Sequence, residues 1–144
     1  MLLYLDNCVF NRPFDNQQQL RIKIETEAKL FIQEKILKNE FGLVWSYILD
    51  YENAVNPFRE RRGVIINWKT KALKDIIETD ELMRIAKHYN SIDVYPKDAL
   101  HLACAELAQC DYFITTDDKL IKKAGNEKNL RVVNPVTFIE INNF

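Results

Sequence analysis

Four short apolar runs, separated by longer segments of helical periodicity, constrain this chain more than any other feature. Leu2-Leu3-Tyr4-Leu5 stops abruptly at Asp6, and residues 41–45, 112–115 and 131–133 are runs of the same kind. A run without polar alternation is expected of a strand buried on both faces. Strands alternating with helices predict an α/β fold in which helices cover both faces of a parallel sheet.

The intervening segments read as helices. Over residues 19–38 the apolar positions Leu20, Ile24, Ala28, Phe31, Ile32 and Ile36 recur at helical spacing, and charged residues fill the rest. Ser46 is a good N-cap for a helix from Tyr47 to about Asn56, which Pro57 limits. Residues 58–74 mix basic and apolar side chains and read as helical after Gly63. A further helix is expected over 79–89. Pro96 suits a first helical position, with Asp98 in the first turn of a helix reaching about Gln109. Short helices are expected over 118–124 and 135–140, and residues 11–16, NRPFDN, read as a turn or loop.

Composition narrows the class. A length of 144 residues fits one domain, 1–144, with a real core. A hydrophobic fraction of 47% and a charged fraction of 28% are those of an ordinary soluble globular protein. With a net charge of -1 there is no global basic field, so nucleic-acid binding must rest on a local patch. Cys8, Cys104 and Cys110 are odd in number and lack CxxC spacing, which argues against a disulfide framework or a zinc site. The apolar run at residues 1–5 is too short for a signal sequence or membrane span, so a soluble cytoplasmic protein is expected, without membrane association.

Four acids stand where chemistry would be placed. Ligands of open α/β sheets bind beyond the carboxyl ends of the strands. Asp6 follows the first strand, Asp117 comes two residues past the third, and Asp98 opens a helix. Taken singly, each has an ordinary reading as a cap or a helix-dipole partner. Glu52 falls on the helix face of Ile48 and Val55, where a carboxylate is costly unless paired or metal-bound. Asp50 is turned away from that face and reads as solvated. Several carboxylates at one rim repel one another, and a divalent cation removes the conflict. An all-oxygen donor set favours Mg²⁺ or Mn²⁺, which points to phosphoryl chemistry on an anionic substrate.

Leu-Asp at 5–6, S-x5-E at 46–52, DALHLA at 98–103 and T-x-D at 115–117 together resemble the PIN-domain ribonucleases, in particular the VapC-like toxins of prokaryotic toxin–antitoxin pairs. The correspondence runs from residue 2 to about residue 140. The resemblance implies a PIN-like three-layer α/β/α fold with a central parallel sheet of four to five strands. It also implies an Mg²⁺- or Mn²⁺-dependent endoribonuclease acting on RNA, with a cognate antitoxin protein as partner and a homodimeric state. By position it assigns Asp6, Glu52, Asp98 and Asp117 as the catalytic, metal-coordinating acids. Leu120, three residues after Asp117, favours Asp117 over Asp118. Thr115 matches the hydroxyl that orients the acids, and Asn7 stands where many members have Ser or Thr. The long helix at 19–38 and the NRPFD loop mark a subgroup, which keeps a non-toxin PIN nuclease and a catalytically silent RNA- or protein-binding domain as alternatives.

Ser46, of the S-x5-E motif, is a further candidate near the acids. His101, one turn after Asp98, can donate to it or to a phosphate, or serve as a structural histidine. Arg12 beside the site can meet substrate phosphate or be a solvent-facing loop charge. Arg59, Arg61, Arg62, Lys69, Lys71 and Lys74 form the densest basic stretch and read either as phosphate contacts or as a solvated face. Trp45 and Trp68 read as core. A haloacid-dehalogenase-type phosphatase needs an Asp where Cys8 stands, and a receiver needs an acidic pair where Asp6 stands alone.

Overall fold

A computed structural model describes residues 1–144. Its centre is β1 (Leu2–Leu5), flanked by β2 (Gly42–Ser46) and β4 (Tyr112–Ile114). Beyond these lie β3 (Lys74–Ile76) and β5 (Arg131–Val133), so the strand order is β3-β2-β1-β4-β5. All four pairings are parallel, with Leu3 opposite both Leu43 and Tyr112. Leu3, Tyr4, Leu5, Leu43, Val44, Trp45, Phe113 and Ile114 are essentially unexposed. Each contributes about 1.5–3 kcal/mol of hydrophobic free energy, which is why the central strands carry no polar alternation.

The helices are α1 (Asn7–Asn11), α2 (Leu20–Leu37), α3 (Tyr47–Ala54), α4 (Arg59–Lys69), α5 (Asp80–Ser91), α6 (Pro96–Leu107), α7 (Asp118–Ala124) and α8 (Pro135–Ile141). The chain moves outward from β1 to β3 and then crosses back to β4. With right-handed crossovers, that reversal places α5 and α6 on the sheet face opposite α2 and α4. The result is the expected three-layer α/β/α arrangement with five parallel strands. The expected helix starts form: Ser46 caps α3 by accepting from the amide of Leu49, and Pro96 sits in the first turn of α6.

Several expectations are corrected. The NRPFDN stretch is not a plain loop: α1 begins immediately after Asp6, whose side chain caps it, and Arg12–Phe14 form a 3-10 turn. The basic segment is helical from Arg59, before Gly63. It ends at Lys69, and the segment then supplies edge strand β3, whose KDI sequence has no apolar run because an edge is half open to water. The inward face of helix α2 is only partly the expected one: Ile32 and Ile36 are buried and Phe31 packs against the core, but polar residues share that face. Leu20 and Ile24 are exposed, while Glu25, Thr26, Lys29, Ile32 and Ile36 are buried. Glu25 can be buried because Arg12, Arg21 and Asn134 surround its carboxylate. Trp45 and Trp68 are core residues, and the three cysteines are free thiols. No helix is long and apolar enough to cross a membrane.

Candidate active site

The sheet order reverses direction between β1 and β4, and the carboxyl ends of these strands define a crevice. Asp6 stands at one lip and Thr115 at the other. The backbone amide of Asp6 donates to the carbonyl of Ile114 at 2.9 Å, which fixes the two lips in register. Asp6 Oδ1 accepts from the amide of Asn7 at 2.8 Å, and Thr115 Oγ1 donates to Asp6 Oδ2 at 2.8 Å. The buried Asp6 carboxylate is thus oriented by an N-cap bond and a hydroxyl. Thr115 Oγ1 also accepts from the amide of Asp117 at 3.1 Å, so one hydroxyl ties two of the acids together.

Glu52 enters from α3. The face reading that selected it holds for Ile48, which is buried, and not for Val55, which is 61% exposed. Glu52 is itself half-buried, and its Oε1 is hydrogen-bonded to Nε2 of His101. His101 is fully buried, and its other nitrogen, Nδ1, is 2.5 Å from the hydroxyl of Tyr4. The partner of His101 is therefore Glu52 rather than Asp98.

Asp6, Glu52 and His101 offer ligand atoms within 4.8 Å of one another. Both His101 nitrogens are already engaged, so the oxygens of Asp6 and Glu52 are the available donors of that group. Asp98 and Asp117 lie outside this tight group and join it through charge. Burial first, then the charges of Asp6, Asp117 and Glu52, push the Asp98 carboxyl up to about 6. Desolvation is the larger cause of that rise, and the like charges of the neighbouring acids add to it. Asp117 caps α7, its Oδ1 accepting from the amides of Lys119 and Leu120 at 3.0 and 3.2 Å, and it is exposed at the rim. Leu120 is buried beneath it, and Asp118 is turned outward into a two-bond pair with Arg21.

No family model matches the sequence, and no curated protein matches it. A chain in the crystal structure of VapBC2 from Rickettsia felis, bound to a DNA fragment from their promoter, matches it in structure. That match covers 93% of this chain and 98% of the other, with a TM-score of 0.58 and 14% sequence identity. The fold is PIN-like. At that identity the likeness concerns architecture alone, and the site rests on its own geometry.

Within the PIN-like framework the other candidates divide. Ser46 is buried beneath the site and bonded to Tyr4 at 2.6 Å. Asn7 lines an open cleft of about 290 Å³ with Glu52, Asn56, Phe58, Arg61 and Lys97. A larger cavity of about 430 Å³, near Asp111, Lys128 and Arg131, lies at the amino ends of the strands. It holds none of the acids, and open parallel sheets bind at the opposite end, so the smaller cleft is the candidate entrance.

Arg12 is neither a free phosphate contact nor a solvent-facing charge, because its guanidinium pairs with Asp15 and the buried Glu25 at 3.0 Å each. The basic stretch is largely committed internally as well. Arg61 donates to the carbonyl of Phe14, Arg62 to that of Asn56, Lys69 pairs with Asp50, and Lys74 donates to the carbonyl of Ala108. Asp50 is not merely solvated, since Oδ1 accepts the indole N–H of buried Trp45 at 2.8 Å. Tyr4 escaped the sequence reading. An aromatic in a buried strand looks like any core residue, and only the three-dimensional approach of α6 reveals its hydroxyl contacts.

Proposed function

We propose that the protein is a divalent-cation-dependent endoribonuclease of the PIN type, hydrolysing RNA phosphodiester bonds. The observation that carries this reading is the convergence of Asp6 and Glu52 at the switch point, with Asp98 pushed up to about 6 by burial and the surrounding acids. Crowded carboxylates of this kind need a counter-charge, and the remaining oxygen lone pairs of Asp6, Glu52, Asp98 and Asp117 form an all-oxygen set that suits Mg²⁺ or Mn²⁺. Once bound, such a cation supplies Lewis-acid polarisation and activation of water. The chain's own residues do the rest: Thr115 holds the Asp6 carboxylate, His101 holds that of Glu52, and Lys97 in the cleft offers charge to substrate phosphate. No Ser/His/Asp or Cys/His set stands here to supply a protein nucleophile.

The neighbouring fold comes from a complex called VapBC2, and on that ground we infer that this chain is the toxin of a type II pair. It then has a cognate antitoxin protein as partner, a homodimeric state and a cytoplasmic location. A non-toxin nuclease of RNA processing is the second reading, favoured by the long α2 helix. A silent binding domain is disfavoured by the presence of all four acids. The test is cleavage of an RNA panel by wild type, Asp6→Asn and Asp98→Asn in Mg²⁺, Mn²⁺ or EDTA. Cleavage by the wild type alone, abolished by EDTA, is expected; cleavage persisting in either variant or in EDTA ends the mechanism. Growth arrest on expression, relieved by the same substitutions, separates a toxin from a housekeeping nuclease.

A further inference from the structure

Beneath the acids runs a closed circuit of hydrogen bonds through four elements. It starts at the amide of Leu49 in the first turn of α3, which donates to Ser46 Oγ at 3.3 Å. Ser46 Oγ meets Tyr4 Oη of β1 at 2.6 Å, and Tyr4 Oη meets Nδ1 of His101 on α6 at 2.5 Å. Nε2 of His101 then meets Oε1 of Glu52, back on α3. Ser46, Tyr4 and His101 are wholly buried, so no water can rearrange the protons.

Counting donors fixes the direction. Glu52, as a carboxylate, can only accept, so the proton of the last bond sits on Nε2 of His101. Nδ1 is then the acceptor for the Tyr4 hydroxyl, and the Tyr4 oxygen takes the Ser46 hydroxyl proton. In this arrangement each proton has one acceptor. The opposite direction would set two lone pairs against each other at Glu52, and a proton on both ring nitrogens would turn the Tyr4 hydroxyl away from Nδ1 and leave the Ser46 hydroxyl only the weak thiol acceptor of Cys104. Burial holds the Tyr4 phenol well above its ordinary value, so it remains a donor. Its ring is fixed by stacking on Phe113 at 5.2 Å, with the His101 ring edge-on at 5.7 Å.

We propose that His101 is a positioning residue for Glu52, and that Tyr4, backed by Ser46, holds the ring in place by donating to the Nδ1 left bare when Glu52 draws the proton to Nε2. The circuit also joins α3 to α6, the helices that carry Glu52 and Asp98, and so sets the spacing of those two acids. The proposal rests on the reading of Glu52 as a site carboxylate. It adds Tyr4, which no sequence motif of the site contains.

The test has two arms. In ¹⁵N-histidine NMR of the wild-type protein, with exposed His88 as internal reference, His101 is expected to show a protonated Nε2 and a bare Nδ1. Any form protonated at Nδ1 overturns the proposal, and this arm needs no variant. In the second arm, Mn²⁺ affinity is measured by calorimetry for Tyr4→Phe, His101→Gln and the double variant. Tyr4→Phe keeps the ring packing and is expected to weaken Mn²⁺ roughly 10-fold, as loss of a ligand's supporting hydrogen bond does. His101→Gln retains an amide donor for Glu52 and no contact that needs Tyr4, so in that background Tyr4→Phe should add nothing. An unchanged affinity in Tyr4→Phe, or the same loss in both backgrounds, overturns the proposal. A wild type that binds no Mn²⁺ and cleaves no RNA removes the nuclease reading, while the NMR arm still decides the circuit.

Discussion

Replacing Lys29 with methionine should make this protein more stable at neutral pH. Lys29 lies on the buried face of α2 with only 4% of its surface exposed. Its ammonium is bonded to the side-chain oxygen of Gln33 and sits 5.3 Å from the Trp68 ring and 5.9 Å from that of Phe10, with no carboxylate paired to it. Burial alone lowers its pKa from 10.5 to about 8. At about 1.4 kcal/mol per pH unit, that drop corresponds to about 3 kcal/mol of stability withheld while the group is charged. Because the folded value is the depressed one, the unfolded chain binds the extra proton between about pH 8 and 10.5. Stability from this group is therefore lost as pH falls through about 8 and present above 10.5.

Lys29→Met keeps the apolar stem and removes the charge. It also removes the Gln33 bond, about 1 kcal/mol, and cation–π attraction of about 0.5–1 kcal/mol. The net gain expected at pH 7 is about 1–2 kcal/mol, or about 3–6 °C in Tm. Urea unfolding of both proteins at pH 7 and pH 10.5 measures it. The buried thiols, pushed up to about 12, destabilise both proteins alike as pH rises past 9, so the difference between the two isolates Lys29. A variant less stable at pH 7, or an advantage of equal size at both pH values, refutes the reasoning.

Three further outcomes follow from the geometry. Asp50→Ala strips the buried Trp45 indole N–H of its acceptor and should cost about 1–3 kcal/mol in urea unfolding, without affecting Mn²⁺ affinity. Gly63→Ala places a methyl group in open space in the middle of α4, and should raise stability by about 0.5–1 kcal/mol, read as a higher unfolding midpoint. Thr115→Val removes the hydroxyl that holds Asp6, and should weaken Mn²⁺ roughly 10-fold with the fold retained by circular dichroism.

The parts legible in the sequence are those where one physical demand dominates. Central strands must be apolar on both faces, so β1, β2 and β4 announce themselves, and the Ser46 cap and the first-turn Pro96 mark helix starts chemically. β3 is hidden because an edge strand tolerates Lys74 and Asp75. The inward face of α2 is partly hidden because Glu25 and Lys29 are made tolerable by partners distant in sequence: Arg12 and Asn134 for the acid, Phe10 and Trp68 for the base. The placement of Asp6 and Asp98 at one rim followed from topology. The pairing of His101 with Glu52, and the role of Asp50 under Trp45, depend on how α3, α4 and α6 meet, which local periodicity does not carry.

The central claim is that the carboxylates at the switch point hold a divalent cation. Calorimetric titration of the purified protein with Mn²⁺ tests it most directly, comparing wild type with Asp6→Asn. Saturable binding by the wild type, lost in the variant at unchanged thermal stability, is the predicted result. No binding by a folded wild type, or equal binding by both proteins, contradicts the account.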